Sequence, residues 1–586
     1  MSGDQTAERA RALRSIPILA GLVGAVLLAG GVVLALYSQF VAAPIPVPFD
    51  GDFSETADFP FHLVRGALVV AGAAALTGAV VLVLGRRGDE RAASVGAGGV
   101  LAILFVLGGG LWFAVAADIP STYQRLTSDF VVTPRASSAI AALALAVSGA
   151  LAIFVFVVKP TGPVPRWWAL AAALVVGVVS VLGAASVAVR FGDDSVAGDH
   201  VTAAAAPEAA APAVLGSEKF RLQIPADPDL GHRILVTRSG VVVATPAGLT
   251  QYDGATGTEQ WHYLRRDIST DSVWNRLEDT TYLRAEDVVL TKWRNIGWMA
   301  FDAATGELLW TGGDFASDPR STTGGHLLAT VSSTTGQVTR YDARTGREMW
   351  RIAGESAECT AAAPQVATTM TAIYRVARCG DGEAATVAVT AFDPVSGEVR
   401  DTRSFPTPGA VRAMNAGVRV FDSGFVWVQC HQEGAIDTAI FLPPNQPLSS
   451  AIVDSRHKYS DVEEADSTAA LVSSDNSDPR AGSGDRWEVL SAIGEAKWTE
   501  LEMTAPATGA MYVEDRVELL TDRVVMLTLD DEFKLRSWNR STGREGPAVP
   551  VAIGPNGNPR VATTSGSLIV IASDRNGRGS EIIGFG

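Results

Sequence analysis

The feature that most constrains the fold is a ten-residue string that recurs in the C-terminal two-thirds of the 586-residue chain. Each copy places Asp, Gly and Trp at the same offsets. The three strongest copies are YDGATGTEQW, FDAATGELLW and YDARTGREMW, with shared positions Asp253, Gly257 and Trp261, Asp302, Gly306 and Trp310, and Asp342, Gly346 and Trp350. Such self-similarity is typical of repeat folds, in which each unit buries its apolar face against the next one.

The string has a local meaning in terms of secondary structure. Alternating apolar residues lead into the aromatic residue and predict a strand, and Asp and Thr favour a tight turn by bonding nearby backbone amides. Glycine supplies the positive φ that closes a short hairpin. The chain then returns as a second strand that carries the Trp, so we expect one indole per repeat to pack between neighbouring units.

Weaker copies extend the pattern to the end of the chain. FDPVSGEVRD has Asp401 in place of Trp, VLSAIGEAKW keeps Gly494 and Trp498, and WNRSTGREGP has Asn539 in place of Asp. The average step of about 47 residues holds four short strands, as in a propeller blade. The pattern predicts an all-β propeller of eight blades, with seven as the alternative because the copy within AIFLPPNQPL is weak. FRLQIP, Phe220–Pro225, is predicted to supply the strand that closes the last blade.

The first third of the chain is predicted to be an all-α transmembrane bundle of five helices, since a span needs about 20 apolar residues. The five stretches are Ile16–Tyr37, Gly66–Leu84, Val95–Ala116, Ala139–Val158 and Trp167–Val189. Their apolar cores hold no ionisable residue. Transporters usually keep such groups at membrane depth, so we interpret the bundle as an anchor.

Charges in the loops predict the orientation of this anchor. Basic residues gather before the first span and in alternate loops, namely Arg9, Arg11, Arg14, Arg86, Arg87, Arg91, Lys159 and Arg166. The positive-inside rule then places the N-terminus in the cytoplasm and, after five spans, the C-terminal part outside. The predicted domains are a cytoplasmic N-terminus (1–15), the transmembrane domain (16–190), an Ala/Pro-rich linker (191–216) and an extracytoplasmic propeller (217–586). The location predicted is a bacterial inner membrane.

The repeats resemble those of the pyrroloquinoline quinone (PQQ) quinoprotein propellers, on the three strong copies of the Asp-x-x-Thr-Gly-x-x-x-Trp string. The resemblance covers roughly Ser217 to Gly586. It implies eight blades with indoles docked between them. The same repeat occurs in enzymes and in non-catalytic scaffolds, among them an outer-membrane assembly lipoprotein, so the fold leaves the function open.

Five spans before a propeller also resemble the membrane-bound glucose dehydrogenase, which implies PQQ with calcium as cofactor and sugar or alcohol oxidation coupled to membrane quinone. That family roofs its site with long insertions between blades, and the roughly 370 residues here are nearly all needed for the blades. The adjacent-cysteine pair of many alcohol-oxidising members and a Cys-x-x-Cys-His haem site are both missing. We therefore favour a non-enzymatic scaffold without cofactor, and keep the dehydrogenase as the alternative.

Other chemistry finds little support in the sequence. The net charge of −16 disfavours nucleic acid as a partner. The seven His residues lack zinc-ligand spacing and are predicted to be surface or turn residues. Cys359 and Cys379 are predicted to form a disulfide across a hairpin, with Cys379 and Cys430 as the rival pair. The expected partners are the lipid bilayer and another envelope protein.

Overall fold

The computed structural model describes two compact units, a helical one and a β one. The described residues are 2–42, 59–85, 108, 123, 132–158, 165–193, 198–205, 210, 212–225, 233–265, 277–293, 297–312, 315, 322, 324–332, 335–354, 365–379, 386–406, 417–421, 423–430, 438–454, 460–466, 468–474, 486–491, 497–501, 517–529, 532–553, 557–574 and 579–586. The helical unit ends at Asp199, and most of the remaining chain forms the β unit.

Four long helices make up the described part of the helical unit. They are α1 (Ser2–Phe40), α2 (Phe59–Gly85), α3 (Pro134–Val158) and α4 (Trp167–Arg190). Each contains an apolar stretch long enough to cross a membrane, with mean hydropathy between 2.3 and 2.7. Four of the five predicted spans therefore coincide with apolar helices that fit a membrane anchor. The fifth, Val95–Ala116, lies almost entirely outside the described residues.

Small residues set the packing of α1 against α3. A Cβ atom on Gly24 would lie 2.7 Å from the Gly149 carbonyl oxygen, and one on Gly149 would lie 2.9 Å from the Gly24 oxygen. The two backbones approach this closely because neither glycine carries a side chain. Close approach of this kind is how helices gain van der Waals contact where no water is available to drive them together.

The β unit consists of eight sheets, which we number as blades 1 to 8. The strands of blades 1 to 4 are β1 (Gly198–Val201), β2 (Glu218–Pro225, which belongs to blade 8), β3 (Arg233–Val236), β4 (Gly240–Thr245), β5 (Gly248–Asp253), β6 (Glu259–Arg265), β7 (Leu277–Leu283), β8 (Val288–Trp293), β9 (Gly297–Asp302), β10 (Leu308–Thr311), β11 (Ala329–Val331), β12 (Val338–Tyr341), β13 (Glu348–Ile352), β14 (Gln365–Thr368), β15 (Ile373–Cys379), β16 (Thr386–Phe392) and β17 (Val399–Pro406).

The strands of blades 5 to 8 follow in the same manner. They are β18 (Gly417–Val420), β19 (Val426–Cys430), β20 (Thr438–Leu442), β21 (Ile452–Asp454), β22 (Ser460–Ala465), β23 (Ala469–Ser474), β24 (Arg486–Ser491), β25 (Lys497–Glu500), β26 (Val517–Leu519), β27 (Arg523–Leu529), β28 (Phe533–Asn539), β29 (Val549–Pro550), β30 (Gly557–Thr564), β31 (Ser567–Asp574) and β32 (Gly579–Phe585). A short 3₁₀ helix, Leu448–Ser450, precedes β21.

Each blade is an antiparallel meander whose strands we call A to D in chain order, except in blade 8, where β30, β31 and β32 are A to C and β2 is D. Blade 3 has three described strands, which correspond to B, C and D. In blade 1, β1 adds a fifth strand beside β6, the D strand. The A–B turns and the C–D hairpins of the repeat all lie at the same ends of the strands, and we call this side the motif face.

Ring closure comes from the strand that the sequence predicts. β2 pairs antiparallel with β32 along its whole length, from Glu218 opposite Phe585 to Pro225 opposite Gly579. Blade 8 is thus built from the first long strand and the last three strands of the β unit. Pairing the two ends of the unit in one sheet removes the open edges that an unclosed ring would have.

Apolar clusters fill the spaces between neighbouring blades. Each successive pair from blades 2 and 3 to blades 7 and 8 shares a buried cluster, and a further cluster joins blade 8 to blade 1 through Ile569, Ile571 and Ile582 against Ile234 and Val243. The alternating pattern of each strand places every second side chain in one of these layers. The eight-bladed prediction is confirmed, and the seven-bladed alternative is wrong.

Candidate functional site

Five of the C–D hairpins on the motif face, those of blades 1 to 4 and 7, share one turn geometry. Asp253 Oδ1 accepts hydrogen bonds from the backbone N–H of Ala255 (3.0 Å) and Thr256 (2.8 Å) and from the Thr256 hydroxyl (2.8 Å). The turns at Asp302, Asp342, Asp393 and Asn539 repeat the pair of backbone bonds. The side chain at the first position therefore satisfies turn amides that the strands cannot reach.

The glycine of each copy adopts the conformation that the hairpin requires. Gly257, Gly306, Gly346, Gly397 and Gly543 have φ between 68° and 76°. In four of these hairpins, those of blades 1 to 4, the strand register then shifts by one residue, as between Gln251 and Tyr252. This combination is a tight turn followed by a bulge with glycine in the left-handed region. The bulge turns the residue four positions after glycine toward the next blade.

Three indoles form the joints between blades 1 to 4. Trp261 Nε1 donates to the Ala303 carbonyl (3.0 Å), Trp310 Nε1 to the Ala343 carbonyl (2.7 Å) and Trp350 Nε1 to the Pro394 carbonyl (3.1 Å). In each case the acceptor is the carbonyl of the residue that directly follows the motif Asp of the next blade. The motif glycine of the next blade lies under the ring, so that a Cβ on Gly306 would be 2.5 Å from the Trp261 indole.

The other joints replace the indole by different chemistry. At blades 4 and 5, Asp401 stands at the Trp position and its Oδ2 accepts a hydrogen bond from the Leu448 N–H (2.9 Å). At ring closure, Phe220 on β2 takes the place of Trp and its ring lies against Gly257. Trp498 lies on the opposite side of its blade, with its ring 6.5 Å from that of Phe441 in blade 5. Gly494 lies outside the described residues.

Ion pairs between neighbouring blades reinforce the joints at the motif face. Arg540, in the turn of blade 7, forms an ion pair with Asp466 of blade 6, and its Nη2 also donates to the Thr468 hydroxyl (2.9 Å). Arg344 of blade 3 pairs with Asp302 of blade 2 at 2.8 Å. A guanidinium that bonds two groups of the adjacent blade fixes both charge and direction.

These pairs shift the acidity of the turn carboxylates. Burial alone would raise the pKa of Asp466, but the Arg540 guanidinium and the Thr468 hydrogen bonds outweigh burial and lower the pKa. Asp302 shows the same balance, with Arg344 and Thr305 lowering the pKa against burial. The Ser396 N–H, Arg400 and the Val395 N–H lower the pKa of Asp393 to about 2. These carboxylates are therefore ionised at neutral pH.

Blade 4 differs from the other blades in what its turn exposes. Val395 at the tip of the turn is 71% exposed, and Val399 at the start of β17 is 59% exposed. Met370 in the A–B turn of the same blade is 40% exposed. Arg400 connects the two turns because it bonds Asp393 and also the Thr371 carbonyl (2.6 Å). We call Met370, Val395 and Val399 the blade 4 patch.

The repeats provide an internal comparison for this patch. The tip position of Val395 is Ala255, Ala304, Arg344 and Ser541 in blades 1, 2, 3 and 7. The position of Val399 is glutamate in blades 1, 3 and 7, and in blade 2 it is Leu308, which is partly buried. An exposed branched aliphatic side chain at a turn tip gains nothing from the fold itself. A cluster of exposed apolar side chains is a common feature of interaction sites.

A cavity of about 570 Å³ lies on the axis of the ring. It is lined by residues of seven of the eight blades, mostly from A strands. The charged and hydroxylated lining residues are Arg284, Arg419, Arg560, Glu464, Glu518, Tyr282, Thr281 and Thr322. This volume is in the range of small-molecule sites. Burial and the Asp287 carboxylate raise the pKa of Tyr282, whose hydroxyl donates to Asp287 at 2.7 Å.

Contacts across the axis restrict the cavity on the motif face. His326 of blade 3 is 1% exposed, and its Nε2 lies 3.0 Å from the Phe421 carbonyl of blade 5. Arg238 of blade 1 reaches to 3.9 Å from the sulfur of Met370 in blade 4. His326 is thus a buried residue joining blades, where the sequence predicts a surface or turn histidine.

The described lining does not fit PQQ with calcium. A calcium ion needs six to eight oxygen ligands, whereas the lining offers Glu464 and Glu518 on different blades, and the Glu518 carboxylate accepts a hydrogen bond from the Thr563 hydroxyl (3.0 Å). Within the described ranges, three or more His, Cys, Asp or Glu residues nowhere come together as metal ligands. The described indoles of the motif lie between blades and do not line the cavity.

Cys379 ends β15 and is disulfide-bonded. Cys359 lies outside the described residues. The pairing of Cys359 with Cys379 therefore stays a prediction, as does its rival with Cys430.

The sequence predicted the hairpin residues, but it did not predict the contacts and exposed side chains found where a copy departs from the motif. The Asp401–Leu448 joint, the Phe220 closure and the blade 4 patch all lie where a repeat departs from the string. A comparison of the copies position by position could have found Val395 and Val399. Arg540 and Asp466 are 74 residues apart, and no pattern in the sequence connects them.

Comparison with known proteins agrees with the quinoprotein-type fold. Residues 283–440 match the family model described as PQQ_2, outer membrane protein assembly factor BamB. The match runs from the end of the A strand of blade 2 to the C strand of blade 5. The repeats within residues 283–440 are therefore similar to those of this family. No curated protein matches the sequence.

The chain is also similar to several solved structures. BamB from Moraxella catarrhalis is 13% identical, with 63% of this chain and 98% of that chain covered and a TM-score of 0.27. The computationally designed Ika8 protein is 11% identical, with 65% and 100% covered and a TM-score of 0.32. The propeller domain of the Trilobed protease from Pyrococcus furiosus is 9% identical, with 54% and 94% covered and a TM-score of 0.31.

Proposed function

We propose that this protein is a membrane-anchored scaffold that binds another protein of the cell envelope through the blade 4 patch on the motif face of its propeller. The observation that carries the proposal is the exposure of Val395 and Val399 at positions that are polar in blades 3 and 7. The description of the matching family, an outer membrane protein assembly factor, supports an envelope location and a protein partner.

The patch has the chemistry of a small protein-binding site. Its apolar side chains belong to the two turns that Arg400 connects and to the strand that follows, and Arg400, paired with Asp393, is about half exposed. Apolar anchors beside an arginine are the residues that carry most of the binding energy in protein interfaces, while a polar rim excludes water. The ring fixes these side chains on hairpins, so a partner would meet a preorganised surface.

Photo-crosslinking in native membranes tests the proposal. A benzophenone amino acid at Val395 should capture a discrete partner, whereas the same group at Ser541, the equivalent tip in blade 7, should not. A crosslinker at Val453, another exposed valine, is a second reference that should capture nothing. Equal capture from Val395 and from Ser541 would contradict the proposal.

The double variant Val395→Ser/Val399→Glu gives blade 4 the residues that blade 7 has at these positions. With the crosslinker moved to a neighbouring position, this variant should lose the partner while its melting temperature stays unchanged.

Cofactor independence is part of the same proposal, and a dye-reduction assay distinguishes it from the dehydrogenase alternative. The purified protein is incubated with PQQ and calcium and then with sugars and alcohols. We expect no turnover, because the described cavity lining lacks a set of calcium ligands. Turnover that depends on PQQ would favour the oxidoreductase.

The proposed location is a bacterial inner membrane, with the N-terminus in the cytoplasm and the propeller outside. The four apolar helices support an anchor, and the basic residues flanking them support this orientation. Protease added to intact spheroplasts should degrade the propeller and leave an N-terminal tag intact. Protection of the propeller would reverse the orientation.

A further inference from the structure

The outer edge of blade 4 is exposed in a way that the other outer edges are not. β17 has eight residues, six of which are exposed. Within the described part of the chain, no strand pairs with its outer side. The D strands of blades 2, 3, 5, 6 and 7 have two to five residues. A long exposed edge presents a row of backbone donors and acceptors that can pair with another strand.

The chain itself shows that such an edge can accept a strand. In blade 1, β1 pairs beside β6, the D strand. His200 in β1 lies 2.7 Å through Nε2 from the Gly306 carbonyl. β2 in blade 8 is as long as β17, but its Arg221 bonds Glu218 and Glu581 of its own blade. β17 is therefore a long, exposed outer strand that no described strand covers.

We infer that β17 is a homodimer contact, in which the β17 strands of two copies pair antiparallel across a two-fold axis at Thr402. The strand reads V-R-D-T-R-S-F-P from Val399 to Pro406. With Thr402 opposite itself, Asp401 of each copy faces Arg403 of the other, so two opposite-charge pairs form. Such cross-strand pairs stabilise antiparallel sheets, and like charges directly opposite destabilise them.

The neighbouring registers are unfavourable for this sequence. An axis at Asp401 places two aspartates opposite each other, and an axis at Arg403 places two arginines opposite each other. The pattern of charge therefore selects one register and, because a two-fold contact uses the same patch twice, it selects a second copy of this chain as the partner.

The two charged side chains are held in position for this contact. Asp401 bonds the Leu448 N–H through Oδ2, and Arg403 bonds the Leu448 carbonyl through Nη1 at 2.7 Å. Arg403 also lies over the Phe405 ring, 5.0 Å from its centroid. The side chains lose little further freedom on pairing, which lowers the entropic cost of association. A contact of one strand edge is small, and anchoring both copies in one bilayer raises their effective concentration.

Cysteine crosslinking in reconstituted bilayers tests the inference with the full-length protein. Thr402→Cys should give a disulfide-linked dimer under mild oxidation, at least tenfold above both the wild type and Thr311→Cys on the outer strand of blade 2. Arg400→Cys and Ser404→Cys should each crosslink weakly alone and strongly when the two variants are mixed. Equal crosslinking at Thr402 and Thr311 would overturn the inference.

A charge exchange tests the register. Asp401→Arg should abolish crosslinking of the Thr402→Cys protein, and Asp401→Arg/Arg403→Asp should restore it, with melting temperatures recorded to show that each variant is folded. Failure of the exchange to restore crosslinking would also overturn the inference. The contact is tested separately from the proposed scaffold function by Val395→Ser, which lies outside β17 and should leave the dimer intact while weakening partner capture.

Discussion

At the scale of single residues, a blade joint is one indole seated on one glycine. Trp261 is fully buried, and its Nε1 bonds the Ala303 carbonyl of the next blade. Shape and hydrogen bonding are therefore separable at this joint. The ring fills the space that Gly306 leaves open, and the N–H satisfies a carbonyl that no strand reaches.

Substitution of Trp261 should separate these two contributions. Trp261→Phe keeps a ring but leaves the Ala303 carbonyl unpaired, for a loss of about 1–3 kcal/mol in the free energy of unfolding. Trp261→Ala also leaves a cavity, for a loss of about 3–5 kcal/mol. Urea unfolding of the protein in detergent, followed by the sheet signal in circular dichroism, measures both. Trp168→Phe, at a half-exposed indole on α4, should change nothing; an equal effect there would remove the special role of Trp261.

The Asp466–Arg540 pair makes ring stability depend on acid. Because the folded-state pKa of Asp466 is lowered, the pair contributes fully above the ordinary aspartate pKa of about 3.9, and its contribution is lost as pH falls through the lower folded value. Asp466→Asn should therefore lower the melting temperature at pH 7, and the two curves should converge toward pH 2. Asp522→Asn, in a nearby exposed turn, is the control. A difference between wild type and variant that stays constant with pH would contradict this origin.

At the scale of elements, the hairpin and the helix pair obey different rules. The hairpin depends on local chemistry, since Asp and Gly set the turn within five residues. The α1–α3 contact depends on the absence of side chains at Gly24 and Gly149, which lets the two backbones approach each other. A single added side chain therefore matters more in the bundle than its size suggests.

A matched pair of glycines in the bundle tests this. Gly24→Val should destabilise the fold by about 1–3 kcal/mol, because the new side chain meets the Gly149 backbone. Gly72→Val is the control, since a Cβ there has nothing within 4 Å. Unfolding in mixed micelles with increasing SDS gives the measurement. Equal tolerance of both substitutions would show that the α1–α3 contact is loosely packed.

The hairpin β14–β15 raises a question of connectivity at the same scale. Cys379 at the end of β15 is disulfide-bonded. We expect non-reducing peptide mapping to find Cys359 linked to Cys379 and Cys430 as a thiol. A peptide that links Cys379 to Cys430 would instead join blades 4 and 5 covalently.

At the scale of the whole molecule, the β unit depends on closure by β2. Phe220 stands where the other joints have Trp, and its ring lies against Gly257 of blade 1 and Gly584 of blade 8. This one residue belongs to the sheet that connects the two ends of the unit, so its loss affects cooperativity as well as stability.

Phe220→Ala should lower the free energy of unfolding by roughly 2 kcal/mol, less than at a fully buried ring because the side chain is only partly buried. It should also reduce the denaturant dependence of unfolding if blades 8 and 1 begin to open before the rest. Leu222→Ala, two residues along the same strand, controls for β2 itself. An unchanged slope with Phe220→Ala would mean that the ring opens only as a whole.

The sequence by itself determined what depends on short-range chemistry. Turn residues at fixed offsets, the alternation of apolar residues and the length of apolar runs predicted the hairpins, the eight blades, the closing strand and four helices of the anchor. The physical reason is that a turn, a strand and a membrane span are each specified within a few dozen consecutive residues.

Only the tertiary structure decided which side chains meet across the ring. From the sequence, Asp401 in place of Trp suggests that a joint is missing, but in the structure its carboxylate bonds the Leu448 N–H. His326 is predicted to be a surface or turn residue, but in the structure it is buried beside the Phe421 carbonyl. Val395 is an ordinary valine in the sequence, and only the folded turn shows that its side chain is exposed. Such contacts depend on the summed geometry of eight sheets, which no local pattern encodes.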